Sequence, residues 1–198
     1  MLVKRLKYIL LGAVIMLTAV SLAMIISIHQ QVEAEAKIKS SLAIGAKFPD
    51  FSVQDLAGQP LSIATGKGKL VLINFWATWC APCVAELPTL EKVYAKYHHQ
   101  GFDIIGVNVD RNKDKLTDFL KAQALPWPEY FQDHGPAESR IISLGLPSDN
   151  ELAAKCGVGG VPCNFLLDHN GTILGVDLRE DEFETAVAHA LARLDETK

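Results

Sequence analysis

The chain has 198 residues, 49% of them hydrophobic, and a formal net charge of −4. That length accommodates one domain plus an appendage. The acidic balance, with no Lys/Arg-rich run beyond the N-terminus, excludes the phosphate-neutralising surface that a nucleic-acid partner requires. Four cysteines are too few for a disulfide-dense scaffold, and their arrangement as Cys80-Ala-Pro-Cys83 and Cys156 with Cys163 points to chemistry or local staples.

From Tyr8 to Ile28 no residue is charged, which matches the roughly 20 residues a helix needs to cross a bilayer. This predicts a transmembrane anchor over residues 8–28. Lys4, Arg5 and Lys7 precede it, whereas His29, Gln30, Gln31, Glu33 and Glu35 lie beyond it, so the positive-inside rule places residues 1–7 in the cytoplasm. Ala34-Glu35-Ala36 has the small-x-small form of a signal-peptide cleavage site, but the apolar stretch exceeds the ~7–15 residues of a signal core, which favours the anchor. Either reading exports the remainder of the chain. A buried core helix is disfavoured because the segment is apolar on every side. Residues 29–41 read as a helical or flexible tether, and residues 42–198 as the domain.

Within the domain, Phe51-Ser-Val53 and Leu61-Ser-Ile63 flank the turn Ala57-Gly58-Gln59-Pro60 and predict a short hairpin. Residues 69–76 form a near-continuous apolar run, as a strand buried on both faces requires. Pro82 stands where a helix can begin, and Val84, Leu87, Leu90, Val93 and Tyr94 recur at helical spacing until Gly101. A second buried strand is expected over residues 102–109, then a helix marked by Leu116, Phe119 and Leu120 that ends before Pro126. Strand, helix, strand and helix make a βαβ unit. Residues 126–148 read as a loop or as a short strand around Tyr130-Phe131. Residues 149–155 read as a helix capped by Asp149 or Asn150. Two strands, 161–167 and 172–176, join through the Asn170-Gly171 turn, and a last helix spans 181–194 with Phe183, Val187, Ala190, Leu191 and Leu194 inward.

A Cys-x-x-Cys pair at a strand-to-helix junction has a physical logic. The first thiol faces the unpaired amides and positive dipole end of the new helix, which stabilise a thiolate, the form that attacks disulfides. Cys80 is therefore the candidate nucleophile. Cys83, one turn along, is the candidate resolving thiol. Half of a zinc site and an inert structural disulfide are the competing readings. Zinc is disfavoured because Cys156 and Cys163 lack paired spacing and neither is followed by a ligand His.

The segment Phe75-Trp-Ala-Thr-Trp-Cys-Ala-Pro-Cys83 resembles the active site of thioredoxins, and more closely the membrane-tethered TlpA/ResA-like branch. Gly45-Ala-Lys-Phe-Pro-Asp-Phe51, Val84-Ala-Glu-Leu-Pro88 and Gly157-Val-Gly-Gly-Val-Pro162 extend the resemblance to the last helix. It implies a thioredoxin-like, three-layer α/β fold with a central mixed sheet, preceded by the transmembrane helix. It also implies a cis Pro162 beside the cysteine pair, with Val161 pairing its backbone with the substrate. Thioredoxins carry a buried Asp where this chain has Asn74, which cannot exchange protons; the acidic residue that the TlpA/ResA-like branch places after the pair corresponds to Glu86. A solvated surface carboxylate is the alternative for Glu86. Trp79 is expected to shape the docking surface and Trp76 to lie in the core, while Trp127 receives no role. His98-His99 read as solvated residues at a helix end.

The same resemblance implies a thiol-disulfide oxidoreductase in the bacterial inner membrane, single-pass, with its catalytic domain periplasmic or otherwise extracytoplasmic. In that reading it takes electrons from a membrane thiol donor and reduces cysteines of exported proteins, apocytochrome c among them, as in cytochrome c maturation. No cofactor and no metal are called for. An oxidase or isomerase is the alternative direction, to which the redox potential is the key. Copper handling through soft thiolates is disfavoured because no Met or His lies beside the pair. Peroxidase action is suggested by the opening segment's likeness to peroxiredoxins, but their single-cysteine site is missing. Cys156 and Cys163 replace the aromatic and the Thr or Ser usual in this branch. A second disulfide and two separate thiols both remain open, and separate thiols are favoured because Cys163 should point into the fold and Cys156 end a helix.

Overall fold

The computed structural model describes residues 12, 15–30, 32–33, 42–65, 70–133 and 150–196. The charges at Lys4, Arg5 and Lys7, the Ala34-Glu35-Ala36 site, most of the tether, Lys69, Asp149 and much of the loop before it lie outside these residues. The chain divides into two compact units, 1–40 and 41–198. In the first, residues 15–30 form helix α1, with Ile15, Leu17, Met24 and Ile25 exposed. No helix among the described residues is long and apolar enough to cross a membrane; residues 8–11 and 13–14 of the expected span are not among them.

The second unit opens with β1 (Val53–Gln54) and β2 (Pro60–Leu61), an antiparallel pair. Its turn is held by Asp55, whose Oδ1 accepts from the Ala57 and Gln59 amides at 2.9 and 2.8 Å. Ile63, expected in the second strand, instead starts a 3-10 turn (Ile63–Thr65). Its apolar character serves burial, not pairing: the side chain packs beneath Gly171.

Strands β3 (Leu70–Trp76), β4 (Phe102–Asn108), β5 (Glu129–Phe131), β6 (Cys163–Asp168) and β7 (Ile173–Val176) form one sheet in the order β5-β4-β3-β6-β7. β3, β4 and β5 run parallel, while β6 and β7 are antiparallel additions, so the sheet is mixed. The helices are α2 (Ala81–Tyr97), α3 (Lys113–Ala122), α4 (Glu151–Lys155) and α5 (Glu180–Glu196). Every residue of central β3 is buried, and its alternation sends Leu70, Leu72 and Trp76 into a cluster with Leu87 and Leu90 of α2, Leu116 of α3 and Phe183 and Val187 of α5. Each such aliphatic or aromatic side chain contributes roughly 1.5–3 kcal/mol by leaving water. On the other face Phe48 packs on Phe51 and Phe165, and Phe165 on Phe75. Helices packed on a central mixed sheet make the expected α/β arrangement.

Local signals explain most boundaries. Gly101 (φ 100°) ends the 3-10 turn that closes α2, in the left-handed region that suits glycine. Asn150 caps α4 by accepting from the Ala153 amide at 3.0 Å. At the β6–β7 turn Asp168 Oδ1 accepts from the Asn170 and Thr172 amides.

Candidate active site

β3 ends at Trp76, and after three residues Cys80 becomes the N-cap of α2, in extended conformation (φ −88°, ψ 95°). Its Sγ accepts from the Cys83 amide at 3.3 Å, one of the donors that a helix start leaves without an internal partner. The loop is anchored from β4: Asp110 takes hydrogen bonds from the Thr78 amide and hydroxyl, both at 3.0 Å. Asp110 itself is fixed by its amide donating to Asn108 Oδ1 at 2.9 Å. Cys80 and Cys83 form a disulfide and are 5% and 2% exposed, while Trp79 immediately before them is 68% exposed. The site thus shows an exposed indole beside a nearly enclosed sulfur pair at the positive end of a helix.

The Val161–Pro162 peptide is cis, and half-buried Val161 packs against the cluster that includes Cys80 and Cys83. Glu86 is 6% exposed, so it is no solvated surface carboxylate. Burial raises its proton affinity above the ordinary value; Arg179 opposes this by charge and hydrogen bonding, whereas Glu180 and Asp177 reinforce it. Arg179 Nη1 lies 3.5 Å from Glu86 Oε1, and its Nη2 donates to the Pro162 carbonyl at 3.4 Å. One guanidinium therefore joins two of the residues singled out from sequence. Asn74 is buried in β3, and its Oδ1 has no hydrogen-bond partner among the described residues.

Residues 44–176 match the AhpC/TSA family. The chain belongs to that family. Within it, the chain is similar to the thiol-disulfide oxidoreductase ResA of Bacillus anthracis, with 30% identity over 165 residues, 83% of this chain and 85% of that protein. It is also similar to ResA of Bacillus subtilis strain 168, with 29% identity over 70% of this chain and 69% of that one. Among solved structures, a thiol:disulfide interchange protein DsbE of Chlorobium tepidum superposes with a TM-score of 0.63 at 28% identity, over 76% of this chain and 99% of that chain. The thioredoxin domain of a thiol-disulfide oxidoreductase from Bacteroides vulgatus gives 0.63 at 27% identity, with the same shares of both chains. This AhpC/TSA-family protein is a thioredoxin-type thiol-disulfide oxidoreductase of TlpA/ResA-like kind, and Cys80–Cys83 is its redox pair.

Sequence reasoning misses several residues around this pair. Arg179 carries no local motif and meets Glu86 only through folding. Asp110 has a weak signal, as an acid just past a strand end. Trp127, which has no motif around it, and core Trp76 both donate their indole N–H to Glu129, to Oε1 and Oε2 respectively, each at 2.9 Å. Burial pushes that carboxyl up to about 8, against the opposing pull of the two indoles. Cys156 and Cys163 are free thiols. Burial pushes Cys156 up to about 12, with Lys155 opposing. Burial raises Cys163 further still, helped by its hydrogen bond to Asp177. His98 stacks on Tyr94 and places Nδ1 3.1 Å from the Phe102 carbonyl, closing the α2 end and standing outside the site. Among the described residues no cluster of His, Cys, Asp or Glu is arranged to hold a metal ion.

Proposed function

We propose that the protein is an inner-membrane-anchored reductase of exported proteins: residues 8–28 span the membrane, and the domain faces the periplasm. A membrane thiol donor keeps the pair reduced, and oxidised cysteines of exported proteins, apocytochrome c among them, are its targets. The observation that carries this reading is a disulfide at a helix N-terminus with a buried carboxyl, Glu86, one turn beyond it, in a chain similar to ResA along 83% of its length. Cys80 acts as nucleophile, since the helix end and the Cys83 amide favour its thiolate. Cys83 resolves the mixed disulfide, and Glu86 accepts its proton. Val161 pairs its backbone with the substrate's, cis Pro162 lies against the cysteine pair, and exposed Trp79 supplies apolar docking surface.

Trapping in cells tests this directly. Cys83→Ser expressed as the full chain should accumulate mixed disulfides through Cys80, recovered in the membrane fraction, with exported cysteine-containing proteins as the captured partners. Cys80→Ser should capture none. Capture of cytoplasmic proteins alone would overturn the location. A wild-type pair found mostly oxidised by acid-quenched alkylation would favour the oxidase or isomerase direction.

A further inference from the structure

Asp177, Leu178 and Arg179 connect β7 to α5, and they are fastened to the strand that begins beside the cis-proline. Asn164 Nδ2 donates to the Leu178 carbonyl at 2.9 Å, its Oδ1 accepts from the Leu178 amide at 2.9 Å, and its backbone carbonyl accepts from the Asp177 amide at 2.9 Å. Asp177 sits at φ 52°, in the left-handed region that Asp tolerates better than most residues but still at a cost. Three hydrogen bonds over-determine it. The segment is thus a built strut that delivers Arg179 to one place, with Nη1 on Glu86 and Nη2 on the Pro162 carbonyl.

Among the described residues the charged groups facing Glu86 are Arg179, Asp177 and Glu180, of which Arg179 is the cation. Without it, burial and two like charges would act unopposed on the carboxyl. Arg179 is half-exposed at its own end, so solvent weakens the attraction, but the Glu86 end is enclosed. We propose that Arg179 is a positioning residue that holds Glu86 against the cis-proline loop and keeps its carboxylate available to take the Cys83 proton. This rests on the reading of Glu86 as the base. The step it serves is balanced. The Cys83 thiol gives its proton to Glu86, and the Cys83 sulfur attacks Cys80 Sγ, breaking the bond from Cys80 to the substrate sulfur. The departing thiolate takes the proton, so two electrons pass from the dithiol to the substrate.

The test uses the reduced full-length chain mixed with oxidised glutathione, with release of the second glutathione thiol followed by stopped flow across pH. Wild type should show a limb rising with pH as Glu86 ionises, and Glu86→Gln should lack it. Arg179→Gln should move the limb upward by about one pH unit, a roughly tenfold slower release on the limb that recovers at higher pH. Arg179→Lys, which keeps the charge but not the planar fork, should move it less. A limb that disappears in Glu86→Gln but stays in place in Arg179→Gln overturns the role of Arg179 alone. A Glu86→Gln profile identical to wild type overturns the reading of Glu86 and this proposal together.

Discussion

Two buried glutamates, Glu86 and Glu129, sit in the same domain and are handled in opposite ways. Glu86, on α2, meets a cation that is itself half in solvent, so its charge is partly compensated. Glu129, on β5, is enclosed with two neutral indole donors and, among the described residues, no opposite charge, and the proton is held up to about 8. Neutral hydrogen bonds compensate a buried carboxylate less well than a guanidinium does, so the enclosed group resolves the conflict by keeping its proton. Burial raises the proton affinity of both carboxyls, and of the two it is Glu86 at which a cation opposes the rise.

Glu129 occupies room that only a glycine leaves. In the β4–β5 register Gly106 stands opposite Glu129, and a Cβ on Gly106 would lie 2.1 to 2.2 Å from the carboxyl atoms. Gly106→Ala should therefore cost the most stability of the substitutions considered, because the carboxyl cannot shift without breaking both indole bonds. A loss of about 3 kcal/mol in urea unfolding is expected, combining overpacking with lost hydrogen bonds. A loss below about 1 kcal/mol would mean that the carboxyl has another place to go.

The next effect is one of pH. The folded protein holds the Glu129 proton between the ordinary value of 4.5 and about 8, where the unfolded chain releases it. The folded state binds more protons in that window, so stability falls as pH rises through it and levels off above about 8. The contribution is on the order of 5 kcal/mol across the window at 1.36 kcal/mol per pKa unit. Glu129→Gln should flatten this slope in unfolding curves recorded along the window, while costing roughly 1–3 kcal/mol at its acidic end, where an amide donor meets an indole donor. An unchanged slope would place the titration elsewhere.

The smallest effect separates the two thiol pairs. Cys80 and Cys83 lie at a helix N-terminus, whereas Cys156 and Cys163 are held neutral by burial. Iodoacetamide should leave the oxidised native protein unlabelled at neutral pH and add two labels after denaturation without reductant. One bridge, Cys80–Cys83, should be found by mass mapping. A Cys156–Cys163 bridge would break the contrast.

The sequence by itself determined everything that depends on neighbours along the chain. The apolar run at 70–76 had to become a central strand, Pro82 and the spacing of Leu87, Leu90 and Val93 had to start and orient a helix, and Asn170-Gly171 had to turn the β6–β7 pair. The vicinal cysteines at that junction were legible for the same reason, since a helix creates its own positive end. Ile63 departs from its expected strand because an isolated apolar residue satisfies a strand pattern and a buried 3-10 turn equally well. What only the tertiary structure decided are the partnerships across strands and between the sheet and its helices. Asn164 reaches Leu178, Arg179 reaches Glu86 and Pro162, and Glu129 fills the space over Gly106. These contacts depend on strand register and layer spacing, which place side chains together irrespective of their separation along the chain. No local pattern encodes which carboxyl meets a cation and which meets two indoles.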